Sequence, residues 1–184
     1  TPTINFGYKV TDYDKDTALG TITIDTGDGK PCFGSPTASG NQVTVDETGG
    51  FDSVSGTVSF SYGADGAGSL HLTGSPTGLT SHGQAVTVTT TDGGAVGKLA
   101  DGTVVFTLTL NTTTGAYTFT QSKPLDHPNG ANPDDVLDLG FGIVVTDKDG
   151  DTATGQLTVH VKDDAPTAGS VSFATDAGTA TVNG

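Results

Sequence analysis

Apolar and polar residues alternate along most of the chain, and this alternation predicts β-strands that bury one face. The pattern is clearest over 102–110, over 115–121 and in the final hairpin, 139–161. Turns rich in Gly and Asp separate the runs at intervals of about 10 to 15 residues, and no run has the period of an amphipathic helix. The pattern therefore predicts an all-β protein, an antiparallel Greek-key β-sandwich of the immunoglobulin- or cadherin-like kind.

Residues 6–20 and residues 141–155 are two copies of one sequence. Both copies keep Phe, Gly, Val, Thr, three Asp, Thr, Ala and Gly at the same relative positions. Each copy has the pattern of a strand, an acidic turn and the start of a second strand. A repeat at this separation indicates a tandem module, or one module flanked by part of another.

The repeat and a change of composition divide the chain into four parts. Residues 1–25 form a half-repeat hairpin that is either part of the main sandwich or the end of a preceding module. Residues 26–42 are rich in Gly, Pro, Ser and Thr and have little periodicity, which predicts a linker or an insertion loop. Residues 43–164 form the main module. Residues 165–184 are the junction and the start of the next module.

The chain is strongly acidic, with a net charge of −14, 21 acidic residues and 7 basic residues, all of them Lys. Such a surface repels nucleic acid and anionic membranes, so neither is expected as a partner. Glu47 is the single Glu among the acidic residues. Asp is favoured in tight turns and in chelating loops, so its excess points to order that depends on a metal.

Cys32 is the single cysteine, so neither an internal disulfide nor a Cys-rich zinc site can form. No stretch approaches the ~18 consecutive apolar residues of a transmembrane helix, and no signal peptide opens the sequence. The chain is therefore expected to be a soluble piece of a longer protein, without membrane insertion. Cations, rather than disulfides, are expected to cross-link it.

Three aspartates at alternate positions, Asp147, Asp149 and Asp151, lie in a turn between two predicted strands. Their short side chains would present carboxylate oxygens to one side of the turn, where a hard cation such as Ca²⁺ would take them as ligands. The turn is not an EF-hand, because Thr152 and Thr158 occupy the positions where that loop requires Gly and Glu. The alternative is a solvated acidic turn, but three such close charges repel unless a cation neutralises them. The first copy carries the equivalent aspartates, Asp12, Asp14 and Asp16.

Further acidic side chains are candidates for the same chemistry. Asp65, set between glycine-rich neighbours, is either a turn residue or another ligand. The loop over 124–135 carries several side-chain oxygens and is either a cation-bound cap of the sandwich or a surface crossover. Its candidate ligands are Asp126, Asp134 and Asp135. At the junction, a cation shared by Asp163 and Asp164 would stiffen the connection.

The sequence contains no pattern that indicates catalysis. The four histidines are scattered, and neither a zinc-protease motif nor a nucleophile elbow is present. The aspartates lie in turns, and no pair is singled out as a general acid and base. The chain is therefore not expected to be an enzyme.

Several short motifs follow one another in a specific order along the main module. They are GADGAGSLHLTG from Gly63, PLDH from Pro124, LDLGFG from Leu137, TDKDGDTATG from Thr146 and DDAP from Asp163. With these motifs, the segment from about residue 43 to residue 168 closely resembles one repeat of the giant RTX adhesins that type I secretion exports from Gram-negative bacteria. Residues 4–25 resemble only the end of such a repeat.

The resemblance implies an extracellular module on the bacterial cell surface that is stabilised by several Ca²⁺ ions. Such a module acts as a rigid scaffold or extender and positions ligand-binding domains for adhesion to cells or within biofilm. Its partners would be the neighbouring adhesin domains, and the module itself is expected to be monomeric. One alternative is that the module binds a cell-surface glycan or a peptide through a Ca²⁺ site in the 124–135 loop. A second is an accessory domain of a secreted hydrolase.

Overall fold

A computed structural model describes residues 3–25, 32–33, 41–48, 50–129, 132 and 134–164, and every regular element in these residues is a β-strand. The prediction of an all-β protein is confirmed. The strands are β1 (Thr3–Thr11), β2 (Thr17–Asp25), β3 (Cys32–Phe33), β4 (Gln42–Asp46), β5 (Ser53–Thr57), β6 (Phe60–Ser61), β7 (Ala67–Leu72), β8 (Thr80–Ser81), β9 (Gln84–Ala85), β10 (Thr87–Thr91), β11 (Gly94–Lys98), β12 (Val104–Leu110), β13 (Ala116–Gln121), β14 (Val136–Asp147) and β15 (Thr152–Lys162).

Two larger sheets are built from these strands. One has five strands in the order β10-β11-β12-β13-β5, and all its pairs are antiparallel. The other has four strands in the order β4-β15-β14-β7 and contains the long hairpin β14–β15. The pairs β1–β2, β3–β6 and β8–β9 form separate two-stranded sheets.

The four-stranded sheet is mixed, which corrects the prediction of purely antiparallel pairing. β4 runs parallel to β15, with Gln42 opposite Thr158 and Asp46 opposite Lys162. Parallel neighbours need a crossover connection, and here most of the module lies between the two strands in sequence. Alternation along a strand shows that the strand exists but not which distant strand it joins, so this pairing cannot be read from the sequence.

One hydrophobic core joins the two larger sheets. Phe141 of the four-stranded sheet and Phe106 of the five-stranded sheet are both fully buried, and their rings meet edge to face at 6.2 Å. The ring of Phe119 stacks against that of Phe106, with 5.4 Å between the centroids. Two sheets that share such a core are consistent with a β-sandwich.

The hairpin β1–β2 reproduces the pairing of the hairpin β14–β15. Phe6 lies opposite Ile22 as Phe141 lies opposite Leu157, and every pair of the first hairpin has its repeat-equivalent pair in the second. The surroundings differ, because Phe141 is 0 % exposed whereas Phe6 is 53 % exposed. The two copies therefore share their strand pairing, but their equivalent side chains differ in burial.

One strand prediction needs correction, and one strand is missed. The alternation over 56–62 predicts one continuous strand, but this segment is divided between β5 and β6. The Val58 amide still donates in register to the Gly115 carbonyl at 2.9 Å, whereas the Gly115 amide donates to the Asn111 carbonyl, so the β5–β13 ladder ends there. The glycine-rich strand β11 is not predicted by the sequence at all, because its alternation is weak.

The predicted boundaries lie partly outside the described residues. This applies to most of the linker or insertion loop, 26–42, and to all of 165–184. Asn41 and Gln42 already belong to the module, because Gln42 opens β4 and Asn41 is buried. The Asn41 side chain accepts a hydrogen bond from the Ser59 amide at 2.9 Å, which ties the start of the module to the segment between β5 and β6.

Candidate metal centres

Asp147 ends β14 and closes the turn that leads into β15. Its amide donates to the Asp151 carbonyl at 3.0 Å, and its Oδ1 accepts the amides of Gly150 at 3.1 Å and Asp151 at 2.8 Å. Gly150 supplies the positive φ, 102°, of the turn. Asp147 is only 3 % exposed, and its Oδ2 has no hydrogen-bond partner in the described part of the chain. One carboxylate oxygen therefore shapes the turn, while the other is buried and free to bind a ligand.

A second turn brings Asp65 to the same place. The pairing of β7 with β14 shifts register as β14 reaches Asp147, and the Lys148 amide donates to the Gly66 carbonyl at 3.2 Å. These contacts hold the two turns together. One carboxylate oxygen each from Asp65, Asp147 and Asp149 lies within 4.8 Å of the other two. These three residues are called the Asp147 group below.

The electrostatics of the Asp147 group favour a cation. Removal from water raises the pKa of the Asp147 carboxyl, and the neighbouring Asp149 raises it further. Both effects disfavour the negative charge on Asp147, and a bound cation would reverse them. Oδ2 of Asp151, in the same turn, is also buried without a hydrogen-bond partner among the described residues. Ca²⁺ prefers oxygen ligands, so the residues present fit that ion.

Gly68 allows the two turns to approach, and its substitution is expected to separate them. A Cβ at this position would lie 2.3 Å from the Asp147 carbonyl oxygen and 2.4 Å from that of Thr146. Because both atoms belong to the backbone, Gly68→Ala must displace a strand, and the free energy of unfolding should fall by about 2 to 3 kcal/mol in urea titrations. Gly74→Ala is the matched control, since its Cβ would meet nothing closer than 3.5 Å. Equal losses in the two variants would contradict the prediction.

The turn of the first repeat copy has the same backbone geometry. The Asp12 amide donates to the Asp16 carbonyl at 3.0 Å, and the Asp16 amide donates to Oδ1 of Asp12 at 2.7 Å. Lys15, with a φ of 79°, stands where the second copy has glycine. Asp12, Asp14 and Asp16 bring their ligand atoms within 4.8 Å of one another, and all three are exposed. The structure thus brings the predicted triad together at the surface; it is called the Asp12 group below.

A third group lies at the opposite end of the four-stranded sheet, and the sequence predicts only one of its members as a ligand. It consists of Glu47, His127 and the predicted Asp163, whose ligand atoms lie within 4.8 Å of one another. The parallel register of β4 and β15 brings two of them together, because Asp46 pairs with Lys162 and the next residues are Glu47 and Asp163. The Glu47 amide also donates to the Lys162 carbonyl at 3.0 Å. These three residues are called the Glu47 group.

Glu47 is buried and held by its neighbours. Its Oε1 accepts hydrogen bonds from the Gln121 side-chain amide and from the Leu125 amide, the latter at 3.0 Å. Its Oε2 lies 4.0 Å from Nε2 of His127, and the side chains of Glu47 and His127 are 3 % and 2 % exposed. Removal from water raises the pKa of Glu47, although the two hydrogen bonds oppose the rise, and the charge of Asp163 adds to it.

Two further predicted ligands, Asp126 and Asp164, lie outside these groups and form hydrogen bonds of their own. Oδ2 of Asp126 accepts the Gly83 amide at 2.7 Å, which fixes the turn between β8 and β9. Partial burial opposes ionisation of Asp126, but hydrogen bonds from Thr80 and Gly83 lower its pKa overall. The Asp164 amide donates to Oδ1 of Asp163 at 3.0 Å, so Asp164 supports a member of the Glu47 group without joining it.

The last two predicted ligands also have protein partners. Oδ1 of Asp134 lies 2.9 Å from Nζ of Lys162, and this pairing raises the pKa of Lys162. Oδ2 of Asp135 accepts the Asn129 amide at 2.9 Å. The structure therefore does not bring the candidate ligands of the 124–135 loop together around one point.

The main module has a counterpart among known protein families. A family model described as a domain of unknown function, DUF5801, matches residues 42–160, which is more than half of the chain. The chain belongs to the DUF5801 family. No curated protein and no solved structure matches the chain.

The DUF5801 region contains the whole Asp147 group and two members of the Glu47 group, whereas Asp163 lies just beyond its end. The hairpin β1–β2 precedes the DUF5801 region, although it repeats a hairpin within that region. In the part of the chain that the structure describes, no helix has the length and apolar character needed to cross a bilayer.

Proposed function

We propose that this DUF5801 chain is an extracellular calcium-binding module of a bacterial surface adhesin, of the RTX type that type I secretion exports. In this role it is a rigid scaffold or extender that positions ligand-binding domains for adhesion. The Asp147 group carries the proposal. In it, three carboxylates from two turns converge, and one of them has a buried oxygen without a hydrogen-bond partner among the described residues.

Calcium would remove the repulsion within the Asp147 group. Two like charges about 4 Å apart repel by about 1 kcal/mol in bulk water and by several times more near a protein surface. A Ca²⁺ ion between the carboxylates would replace this repulsion by attraction and would tie the Asp65 turn to the hairpin β14–β15. The module would then be a Greek-key, immunoglobulin- or cadherin-like sandwich that is stabilised by calcium, as a rigid extracellular spacer requires.

The hairpin β1–β2 supports a tandem arrangement of such modules. Its apolar residues at repeat-equivalent core positions, Ile4, Phe6, Tyr8 and Val10, are about half exposed. Their counterparts in β14 are at most 1 % exposed. A row of exposed apolar side chains is unfavourable in water, so we assign the hairpin to a neighbouring module of the same kind.

Direct ligand binding by the module has less support than the scaffold role. It requires a calcium ion with open coordination in the 124–135 loop. There, Asp126 and Asp135 accept backbone amides and Asp134 pairs with Lys162. The scaffold role requires calcium only where turns of the module meet, as they do at the Asp147 group.

Titration calorimetry of the metal-free chain with Ca²⁺ tests the proposal. We expect binding with a Kd of about 10⁻⁴ M, as in other extracellular modules, and Asp149→Asn should remove one binding event because it deletes a charged ligand of the Asp147 group. Asp138→Asn is the matched control, since Asp138 lies outside the three groups and pairs with His160. A wild-type chain that binds no Ca²⁺, or an Asp149→Asn variant with undiminished binding, would contradict the proposal.

A further inference from the structure

We propose that the Glu47 group is a binding site for a divalent transition-metal cation, with Zn²⁺ as the representative ion. The site differs chemically from the all-carboxylate Asp147 and Asp12 groups, and it does not depend on the adhesin role. It lies where β4 and β15 end, so a bound ion would tie these two strand ends to the loop that carries His127.

His127 distinguishes this group from a cluster of carboxylates. Its side chain is 2 % exposed, and neither ring nitrogen has a hydrogen-bond partner among the described residues. Native proteins rarely bury a polar group without a hydrogen-bond partner or another ligand. The two ring nitrogens of His127 therefore point to a bound ligand at this place. Nε2 faces Oε2 of Glu47 at 4.0 Å, too far for a hydrogen bond but close enough for an ion to bind both atoms.

The donor set selects the class of cation. A neutral imidazole nitrogen is a preferred ligand of Zn²⁺ and its transition-metal neighbours, whereas Ca²⁺ and Mg²⁺ take oxygen ligands. Glu47 and Asp163 supply two negative charges, which match the charge of a divalent ion. One imidazole and two carboxylates make three protein ligands, the number found in zinc sites that keep one position for water or a further ligand.

The distances and the supporting contacts allow a shared ion. Bonds of about 2.1 Å at a tetrahedral angle place two ligand atoms about 3.4 Å apart, so Nε2 of His127 and Oε2 of Glu47, which are 4.0 Å apart, would approach by about 0.6 Å on binding one ion. The other oxygen of Glu47 accepts the Gln121 side-chain amide and the Leu125 amide. Such contacts behind a ligand fix its orientation and tune its affinity for metal.

Titration of the full chain with Zn²⁺, after chelator treatment, tests the proposal, and Co²⁺ serves as a coloured substitute whose visible absorption reports the geometry of the site. We expect one Zn²⁺ at this group, with an affinity that falls by about 100-fold or more in His127→Gln. His160→Gln is the matched control, because His160 pairs with Asp138 at the surface. Asp149→Asn should also leave the affinity for Zn²⁺ unchanged, so a failure of the calcium proposal is distinguishable from a failure here.

Loss of Zn²⁺ binding in His127→Gln, with binding retained in both control variants, would support the site. Three results would overturn it: no Zn²⁺ binding by the wild-type chain, unchanged affinity in His127→Gln, or displacement of Zn²⁺ by equimolar Ca²⁺. If His127→Gln does not fold, Asp163→Asn removes the charge of another member of the group in its place. NMR of the wild-type histidine side chains is independent of any variant, and a His127 ring signal that Zn²⁺ does not shift would also overturn the site.

Discussion

Phe141→Ala is expected to lower the free energy of unfolding by about 4 kcal/mol, whereas Phe6→Ala should change it by less than about 0.5 kcal/mol. The two phenylalanines occupy equivalent positions of the repeat. Phe141 is 0 % exposed and meets Phe106 across the two sheets, so its truncation leaves a cavity where the sheets pack together. Phe6 is 53 % exposed, and its truncation leaves none.

Urea unfolding followed by circular dichroism measures both variants. Each serves as the control for the other, because the same atoms are removed from the same place in a hairpin of the same register. A loss in Phe6→Ala as large as that in Phe141→Ala would mean that the face of β1–β2 is packed in the folded chain. The hairpin would then belong to the sandwich rather than to a neighbouring module.

The sequence predicts a strand well where its own residues alternate between apolar and polar. It predicts a strand poorly where the choice of residues depends on a partner strand that is distant in sequence. Apolar residues recur at alternate positions along both strands of the hairpin β14–β15, on either side of an acidic turn, so the hairpin is predicted. The residues of β11 show too little alternation to predict a strand. Position 97 favours glycine because a Cβ there would lie 2.5 Å from the ring of Phe106. Only the pairing of β11 with β12 reveals that requirement.

The candidate metal centres show the same limit. Asp147 and Asp149 are predicted as ligands because they lie two residues apart in one turn. For Asp65 the sequence does not decide between a turn residue and a ligand, and only the pairing of β7 with β14 places it beside the other two. Glu47 and His127 are missed because the parallel register of β4 and β15 and the path of a long loop bring them together. One signal for Glu47 was present, since it is the single Glu among 21 acidic residues.

Calcium at about 10 mM is expected to raise the thermal midpoint of the main module by about 10 °C relative to EDTA. A Kd of about 10⁻⁴ M gives a calcium concentration about 100 times Kd, which stabilises the folded state by about 2.7 kcal/mol. In a domain of this size each kcal/mol moves the midpoint by about 3 to 5 °C. The double variant Asp147→Asn/Asp149→Asn should lose this shift, because two of the three carboxylates of the group are neutralised. Differential scanning calorimetry measures both proteins under both conditions.

In EDTA the same double variant is expected to be at least as stable as the wild-type chain. The asparagine that replaces Asp147 keeps a side-chain oxygen for the Gly150 and Asp151 amides, while the repulsion with Asp65 is removed. The order of stability should therefore reverse between calcium and EDTA, which distinguishes a cation site from a turn that needs its carboxylates only for hydrogen bonds. Asp12→Asn/Asp14→Asn, the same change in the exposed copy, should leave the midpoint of the module unaltered. If EDTA does not lower the wild-type midpoint, the aspartates act only as turn formers, and calcium does not stabilise this fold.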